Sequence, residues 1–313
     1  MKRGTCLESV GMSLPLRGDS EPAANDVGDG NGAAFAAQVA QFREQYVDKL
    51  AAPYGWWAIA SLDWLEPGDN VLGSSPEARL PLPEGVPARA ASLELNGDEV
   101  VVRPLTSGLT LGGDPLLEAR TTTGVGVLMV PWEDASDVQP LRVNLVRRGD
   151  RYGVRVYDPR LSAKRDRLSD VAWYEFDPAW VVDAQFLEPL QGETIEVVNA
   201  LGQVTDATVS GRALFEYDGK QVTLVATPAG TPGRLFFNFR DGTNLAKTYG
   251  GGRFLNVDGP VDGRIVLDFN RCHHPPCAHT PYATCPIPPE ENRLPFDVTA
   301  GERYADEPAP LPD

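Results

Sequence analysis

Apolar residues recur every three or four positions between Ala33 and Leu50, which is the spacing of one face of an α-helix. The apolar positions are Phe35, Val39, Phe42, Tyr46 and Leu50. Asn31-Gly32 offers a helix start, and Pro53 offers a stop shortly after the end. The pattern therefore predicts one N-terminal amphipathic helix, which packs its apolar face on the body of the protein.

Beyond this helix, apolar and polar residues alternate with a period of two, which is typical of β-strands. Ala91–Leu95 and Glu99–Arg103 flank Asn96-Gly-Asp98, a strong signal for a hairpin turn. Further strands are predicted at Gly124–Pro131, Leu141–Arg147, Gly153–Tyr157, Val181–Phe186, Thr194–Val198, Ala207–Tyr217, Gln221–Thr227, Arg234–Arg240, Phe254–Val257, Arg264–Asn270 and Pro295–Thr299. Short strands with glycine and proline turns predict a mainly β fold, an antiparallel β-sandwich or barrel, rather than alternating strands and helices.

Both ends of the chain contain few large apolar side chains and many glycine, proline and acidic residues. Such segments bury too little apolar surface to offset the entropy lost on ordering. We therefore expect disordered tails over residues 1–33 and 306–313. Residues 34–305 are expected to form a single large β-rich domain, with a division into two β halves near residues 188–192 as the alternative.

The net charge of the chain indicates which classes of partner it can bind. Its 313 residues include 28 basic and 44 acidic side chains, which give a formal net charge of −16. A surface of this charge repels phosphate backbones and anionic lipids, so we expect a small-molecule partner rather than nucleic acid or a membrane. No stretch reaches the ~18 apolar residues of a membrane span. Because Glu8 also interrupts any apolar region of a signal peptide, the sequence predicts a cytoplasmic protein.

All three histidines of the chain lie between Cys272 and Cys285, together with three of its four cysteines. Imidazole and thiolate groups suit zinc or copper better than magnesium or calcium. The candidate ligands are His274, Cys277, His279, Cys272 and Cys285. Several prolines in this segment exclude a helix or a central strand and predict an irregular loop. The spacing is not that of a zinc finger, so a Cys277–Cys285 disulfide, buried structural thiols and unrelated surface histidines remain alternatives.

The same loop offers a nucleophile. Cys277 becomes a thiolate if a base or an electropositive group lies within hydrogen-bond reach. His274 or His279 could act as that base, with Asn270 or Asp268 orienting the imidazole ring. Cys277, Asn270, Asp268, Arg253 and Tyr249 are therefore the candidate catalytic residues.

A second group of polar residues lies just before this loop. Strict alternation in Ile265–Asn270 places Asp268 and Asn270 on one face of a strand. If the strand that follows Gly252 pairs with this one, Arg253 lies near Asn270. The candidate residues for binding a small polar or anionic ligand are Asp241, Thr243, Arg253, Asn270 and Tyr282. The alternative is an ion-pair and turn network that braces the loop.

Other motifs add little chemistry. The glycine run at residues 250–252 lacks the spacing and the lysine of a phosphate-binding loop, and it precedes a strand rather than a helix. No fingerprint of a nucleotide, flavin or pyridoxal cofactor is visible, and none is expected. Trp56, Trp57 and Trp64 form an aromatic cluster that is more typical of a core than of a ligand pocket.

Sequence blocks at residues 55–68, 152–158, 239–243, 248–255 and 267–271, and a more specific one at residues 275–302, carry a family resemblance that runs from Pro53 to Glu302. In these blocks the chain resembles an uncharacterised family, the domain of unknown function numbered sixteen eighty-four. The family implies no activity that can be carried over. Cys277 and Cys285 match its pattern, whereas Cys272, His273, His274 and His279 are particular to this chain.

These observations favour an enzyme that acts on a small polar molecule, with metal assistance as an option. Its site would be formed by the loop that contains the cysteines and histidines and by the strand before it. The residues leave hydrolysis, metal-dependent oxidation and a lyase or cyclase step open. The alternatives are a non-catalytic small-molecule-binding β-barrel and a structural protein stabilised by a metal or a disulfide.

Overall fold

The computed structural model of the chain describes residues 15–16, 29–123, 126–133, 137–165 and 171–305, with side chains from residue 33 onward. Most of the two predicted tails, residues 1–14, 17–28 and 306–313, lies outside the described residues. Neither α-helix within these ranges is long and apolar enough to span a membrane.

Helix α1 (Asp29–Ala51) is the helix that the apolar spacing predicts, although it begins four residues before Ala33. Val39 and Leu50 are buried, and the other three apolar positions of the stripe are half-buried. The amphipathic prediction is therefore confirmed. Helix α2 (Pro159–Ser162) is a single turn. Short 3-10 helices occupy Trp56–Ala58, Pro178–Trp180, Phe269–Arg271, Pro276–Ala278 and Glu290–Asn292.

Strands account for most of the regular structure of the described residues, which confirms a mainly β fold. Their bounds are β1 Pro15–Leu16, β2 Ile59–Trp64, β3 Gly68–Gly73, β4 Leu80–Pro81, β5 Ala91–Asn96, β6 Glu99–Pro104, β7 Thr110–Leu111, β8 Asp114–Pro115, β9 Ala119–Thr121, β10 Gly126–Val130, β11 Leu141–Arg148, β12 Arg151–Tyr157, β13 Ala172–Trp173, β14 Val181–Leu187, β15 Thr194–Val198, β16 Val204–Thr208, β17 Gly211–Tyr217, β18 Lys220–Pro228, β19 Arg234–Phe239, β20 Arg253–Asp258, β21 Arg264–Asp268 and β22 Glu302–Arg303.

The chain groups into two compact units. Unit 1 comprises residues 1–43, 171–278 and 284–313, and unit 2 comprises residues 44–170 and 279–283. The predicted division into domains stays a prediction.

Unit 2 contains two sheets in its described part. One has the strand order β2-β12-β11-β10-β7-β8 and the other β4-β3-β5-β6-β9. The hairpin predicted at Asn96-Gly-Asp98 is confirmed, since β5 and β6 pair antiparallel from Asn96↔Glu99 onward. Inward-facing aliphatic side chains of both sheets, among them Leu93, Val102 and Val143, share one buried core.

The main sheet of unit 1 has the order β20-β19-β18-β17-β14-β21, with β1 added in parallel beside β17. Its two end strands lie close to each other, so the sheet forms a nearly closed barrel. Phenylalanines fill its interior: Phe215, Phe237, Phe239 and Phe269 are fully buried. The polar residues discussed below lie on the strands and loops around this core.

Two strand predictions are wrong for local reasons. The predicted strand Ala207–Tyr217 is interrupted before Gly211, whose φ of +140° suits glycine. A side chain there would collide with the ring of Phe186. Pro295–Thr299 is not a strand because Val298 finds side-chain partners instead: its N–H donates to Asp241 and its carbonyl accepts from Arg253.

The pairing of the strand after Gly252 with the Arg264 strand, which the sequence left as a condition, does not occur. β20 pairs with β19, whereas β21 pairs with β14. β21 ends at Asp268, because that side chain accepts a hydrogen bond from the backbone N–H of Asn270 and starts a 3-10 turn there. Asp268 and Asn270 are therefore brought together by a turn and not by strand alternation.

Gly301 provides a test of how tightly the C-terminal segment packs. Its φ is +76°, and an added Cβ would lie 2.9 Å from the carbonyl oxygen of Phe269 and closer still to Cys272. We expect Gly301→Ala to lower the free energy of unfolding by about 3 kcal/mol, because strain and overpacking add. Urea denaturation measures this difference.

Gly219→Ala is the matched control. Gly219 also has a positive φ, +69°, but nothing lies within 4 Å of the position that an added Cβ would take. The Gly219→Ala substitution should lower the free energy of unfolding by only about 1 kcal/mol, which is the penalty for a side chain in the left-handed conformation. Equal losses in both variants would contradict tight packing at Gly301.

Candidate functional site

Arg253 and Asp241 form an ion pair in the interior of unit 1. Both side chains are fully buried, and the Arg253 Nη2 to Asp241 Oδ2 distance is 2.7 Å. The remaining donors of Arg253 are also used, since its two Nη atoms donate to the carbonyl oxygens of Val298 and Ala300 at 2.7 and 2.5 Å. A buried charge is tolerated only when it is paired and hydrogen-bonded in this way.

Asp241 links this pair to the loop before β20. Its Oδ1 accepts hydrogen bonds from the N–H and hydroxyl of Thr243, at 2.9 and 2.6 Å, and from the N–H of Val298 at 3.2 Å. Arg253, Asp241 and Thr243, which the sequence singles out for ligand binding, thus direct their polar atoms at one another and at the backbone. The geometry matches the bracing network that was the alternative.

Asn270 is fully buried and connects two segments of unit 1. Its Oδ1 accepts from the N–H of Asp177 at 3.0 Å, and its Nδ2 donates to the carbonyl oxygen of Asp177 and to Asp268. The amide thereby closes a two-way bond with a backbone 93 residues away. Asp268 keeps the turn in place, and burial raises the pKa of its carboxyl group.

His274 is held from both sides of its ring. Nδ1 lies 3.3 Å from the carboxylate of Glu302, and Nε2 accepts a hydrogen bond of 3.2 Å from the backbone N–H of Tyr249. The backbone N–H of His274 also donates to Glu302 at 2.6 Å. This network assigns the neutral tautomer with the proton on Nδ1. Both ring nitrogens of His274 are thus engaged, one with Glu302 and the other with the backbone of Tyr249, and its role as a base for Cys277 stays a prediction.

Cys277 and Cys285 lie side by side in the proline-rich loop. The backbone N–H of Cys277 donates to Cys285 Sγ at 3.2 Å, and neither cysteine is in a disulfide. A hydrogen bond from Cys285, with a further one from the Tyr249 hydroxyl, lowers the pKa of Cys277 to about 7 although partial burial opposes this. Burial and the same hydrogen bond raise the pKa of Tyr249, so its hydroxyl keeps its proton.

Cys272 contrasts with this pair. It is fully buried, its Sγ lies 3.4 Å from the carbonyl oxygen of Ala300, and burial raises its pKa to about 12. A thiol in this environment is an inert part of the core.

The five predicted metal ligands are not gathered into one site. No group of three or more His, Cys, Asp or Glu side chains within the described residues is arranged to hold a metal ion. His279, which belongs to unit 2, bonds to the Tyr46 hydroxyl at 3.0 Å. Tyr282, also of unit 2, packs beside Ile59 and Tyr157. Zinc or copper binding stays a prediction.

Sequence reasoning missed Glu302, which is buried and orients His274. Its only signal was its place at the end of the most specific family-like block. A cleft of about 490 Å³ in unit 1 was also missed, and it contains none of the predicted site residues. Tyr217, Phe296, Arg212 and Arg293 are among its lining residues.

Comparison with known proteins places part of this chain in an uncharacterised group. The family model described as "Protein of unknown function (DUF1684)" matches residues 166–303. This range includes Tyr249, Cys277, Cys285 and Glu302, but not the family-like blocks at residues 55–68 and 152–158. No curated protein matches the chain.

Similar solved structures carry no functional argument. An uncharacterized protein from Haloarcula marismortui, solved by NMR, is 31% identical over 42% of this chain and 75% of its own, with a TM-score of 0.36. The FhaA FHA domain complexed with an intracellular domain is 20% identical over 30% of this chain and 96% of its own, with a TM-score of 0.21. These TM-scores are too low to support an inference about this chain.

We expect Asp241→Asn to lower the free energy of unfolding by about 3–5 kcal/mol, because it leaves the buried Arg253 charge without its counter-ion. Chemical denaturation followed by tryptophan fluorescence measures the loss. Glu290→Gln is the control, because the Arg293–Glu290 pair is exposed and should contribute almost nothing. Similar stabilities of both variants would contradict a bracing role for Asp241.

Proposed function

We propose that this chain, which belongs to the DUF1684 family of proteins of unknown function through residues 166–303, is an enzyme that interconverts small disulfides and the corresponding thiols through Cys277 and Cys285. The observation that carries the proposal is the pair of adjacent cysteines outside any disulfide, one of them with a pKa near the cellular pH. A thiolate available at neutral pH beside a second thiol is the arrangement that thiol–disulfide exchange requires.

The first step is an attack of the Cys277 thiolate on one sulfur of a small disulfide, R–S–S–R. A bond forms between Cys277 and that sulfur, and the other sulfur leaves as a thiolate that takes a proton from solvent. Cys277 is half-buried rather than enclosed, so a small molecule can reach it.

The second step resolves the mixed disulfide. Cys285 gives its proton to solvent and attacks Cys277 Sγ, which forms the Cys277–Cys285 disulfide and releases the second thiolate for protonation. Two protein thiols are oxidised, one substrate disulfide is reduced to two thiols, and the protons balance. In the cytoplasm that the sequence predicts, cellular thiols would run the reverse reaction and restore the dithiol.

The surrounding residues have positioning roles in this proposal. Glu302 orients His274, and His274 holds the backbone of Tyr249. The Tyr249 hydroxyl then donates to the Cys277 thiolate and stabilises its charge. Arg253, Asp241 and Asn270 fix the strand ends and loops on which these groups lie.

A hydrolytic mechanism has less support. Acyl transfer by a cysteine needs a base that can also protonate the leaving group, and both ring nitrogens of His274 are already engaged. A second candidate function is small-molecule binding in the cleft of about 490 Å³, favoured by its aromatic and arginine lining.

We expect Cys277 to react with iodoacetamide with a pH midpoint near 7, below the ordinary range of a cysteine thiol. Cys285→Ala should raise this midpoint most, because it removes the main donor to the thiolate, and Tyr249→Phe should raise it less. Peptide mass spectrometry after timed alkylation measures the rate at each pH. Cys272 is an internal control that stays unmodified in the folded protein. A midpoint that neither substitution moves would argue against the hydrogen-bonded thiolate.

Oxidised glutathione should convert the wild-type chain to a form that has lost two hydrogens and carries a Cys277–Cys285 link. Cys285→Ala should stop at a glutathione adduct on Cys277, because the resolving thiol is gone, and Cys277→Ala should give neither product at this site. Intact and peptide mass spectrometry distinguish the three results.

The same samples test the alternatives. Stoichiometric zinc or copper in the purified protein, with Cys277 protected from oxidation, would favour a metal site over the redox pair. Equal adduct formation on the Cys277→Ala variant would show that the loop has no special reactivity.

A further inference from the structure

Arg155 of β12 is a buried arginine whose guanidinium is not neutralised in the way that Arg253 is. Arg155 is only 6% exposed, and its Nε has no hydrogen-bond partner within the described residues. The contact that it does make is with an aromatic ring: its Cζ lies 5.7 Å from the ring centre of Trp56. A ring face attracts a cation but accepts none of its N–H hydrogen bonds in the plane of the guanidinium.

The surroundings of Arg155 add positive charge. Arg148 of β11 is half-buried, and its pKa is lowered by burial first and then by repulsion from Arg155. Register places Asn144 opposite Arg155 and Arg148 opposite Arg151, so these residues lie on one face of the sheet. An anion bound at Arg155 would supply the hydrogen bond that its buried Nε lacks and would offset the repulsion that its guanidinium exerts on Arg148.

Arg151, on the same face of the sheet as Arg155, is an arginine whose N–H donors are exposed to water. It lies four residues before Arg155, at the exposed start of β12, and its Cζ is 4.3 Å from the ring centre of Trp64. Its guanidinium stacks on an indole while its edges remain in water, which satisfies the N–H donors at no cost in desolvation. Arg155 has the same kind of stacking contact, but its Nε is buried and has no hydrogen-bond partner within the described residues.

We propose that Arg155 is the centre of an anion-binding site in unit 2 that takes the oxyanion group, phosphate or carboxylate, of a small molecule. The planar guanidinium presents paired N–H donors that match two oxygens of such a group. The Trp56 ring holds one face of the guanidinium and leaves its edge for the ligand. The residues of this site belong to unit 2, whereas Cys277 and Cys285 belong to unit 1.

The test is a set of thermal melts of the full chain in potassium phosphate, potassium acetate and potassium chloride at matched ionic strength. Oxyanion at about a hundredfold excess over its Kd should raise the Tm of the wild type by about 5 °C relative to chloride. Arg155→Gln should lose this rise, and its affinity for the anion should fall by about 10- to 100-fold. Arg151→Gln is the matched control and should respond as the wild type does.

A second variant keeps the test decisive if Arg155→Gln folds poorly. In chloride alone Arg155→Met should melt at or above the wild type, because it removes a buried charge that lacks an anion. In phosphate or acetate this order should reverse. A response to phosphate alone assigns a phosphate ligand, and a response to both salts assigns a carboxylate-tolerant site.

Two results would overturn the proposal: a wild-type Tm that neither oxyanion raises above matched chloride, or an Arg155→Gln variant that responds as strongly as the wild type. Cys277 alkylation should stay unchanged in Arg155→Gln, so failure here is distinguishable from failure of the thiol mechanism.

Discussion

The buried pair of Arg253 and Asp241 is the interaction on which unit 1 depends most. A guanidinium with no exposure is tolerable only because Asp241 and the carbonyl oxygens of Val298 and Ala300 take up its donors. Val298 and Ala300 lie in a segment that forms no strand. Hydrogen bonds from the Arg253 side chain therefore hold this segment in place, where backbone hydrogen bonds between strands hold the rest of the sheet. The loop with Thr243 and Tyr249, and through Tyr249 the thiol pair, is fixed by the same contact.

The sequence allowed much of the scaffold to be predicted, because scaffold residues act through periodicity. The stripe from Phe35 to Leu50 and the hairpin at Asn96-Gly-Asp98 depend only on neighbours a few residues away. The partners of Arg253 could not be predicted in this way, since its carbonyl contacts lie 45 and 47 residues further along the chain. Asn270 could not be assigned a partner for the same reason, since Asp177 is 93 residues away in the sequence. Pro295–Thr299 has the alternating pattern of a strand, but the backbone of Val298 is hydrogen-bonded to the side chains of Asp241 and Arg253 instead of to a neighbouring strand.

The candidate site, like the scaffold, could be predicted only in part from the sequence. Sequence drew attention to Cys277 and Cys285 by residue type, and the fold brings them together. Their proximity to Tyr249 could not be predicted, because His274 contacts the Tyr249 backbone and Glu302, which lie 25 and 28 residues away from it in the sequence. The net charge of the chain predicts an acidic surface. Arg148, Arg151 and Arg155 nevertheless lie on one face of the same sheet. Strand register, and not net charge, decides which side chains are neighbours.

The position of Glu302 and of the Arg253 acceptors has a consequence for synthesis of the chain. During translation Arg253, Tyr249 and Cys277 are synthesised before Val298, Ala300 and Glu302. Until those residues emerge, the Arg253 guanidinium has only Asp241 to satisfy it, and His274 lacks the carboxylate that sets its tautomer. The lowered pKa of Cys277 is therefore a late property of the maturing chain, and the nascent polypeptide carries ordinary, less reactive thiols while it is still unfolded.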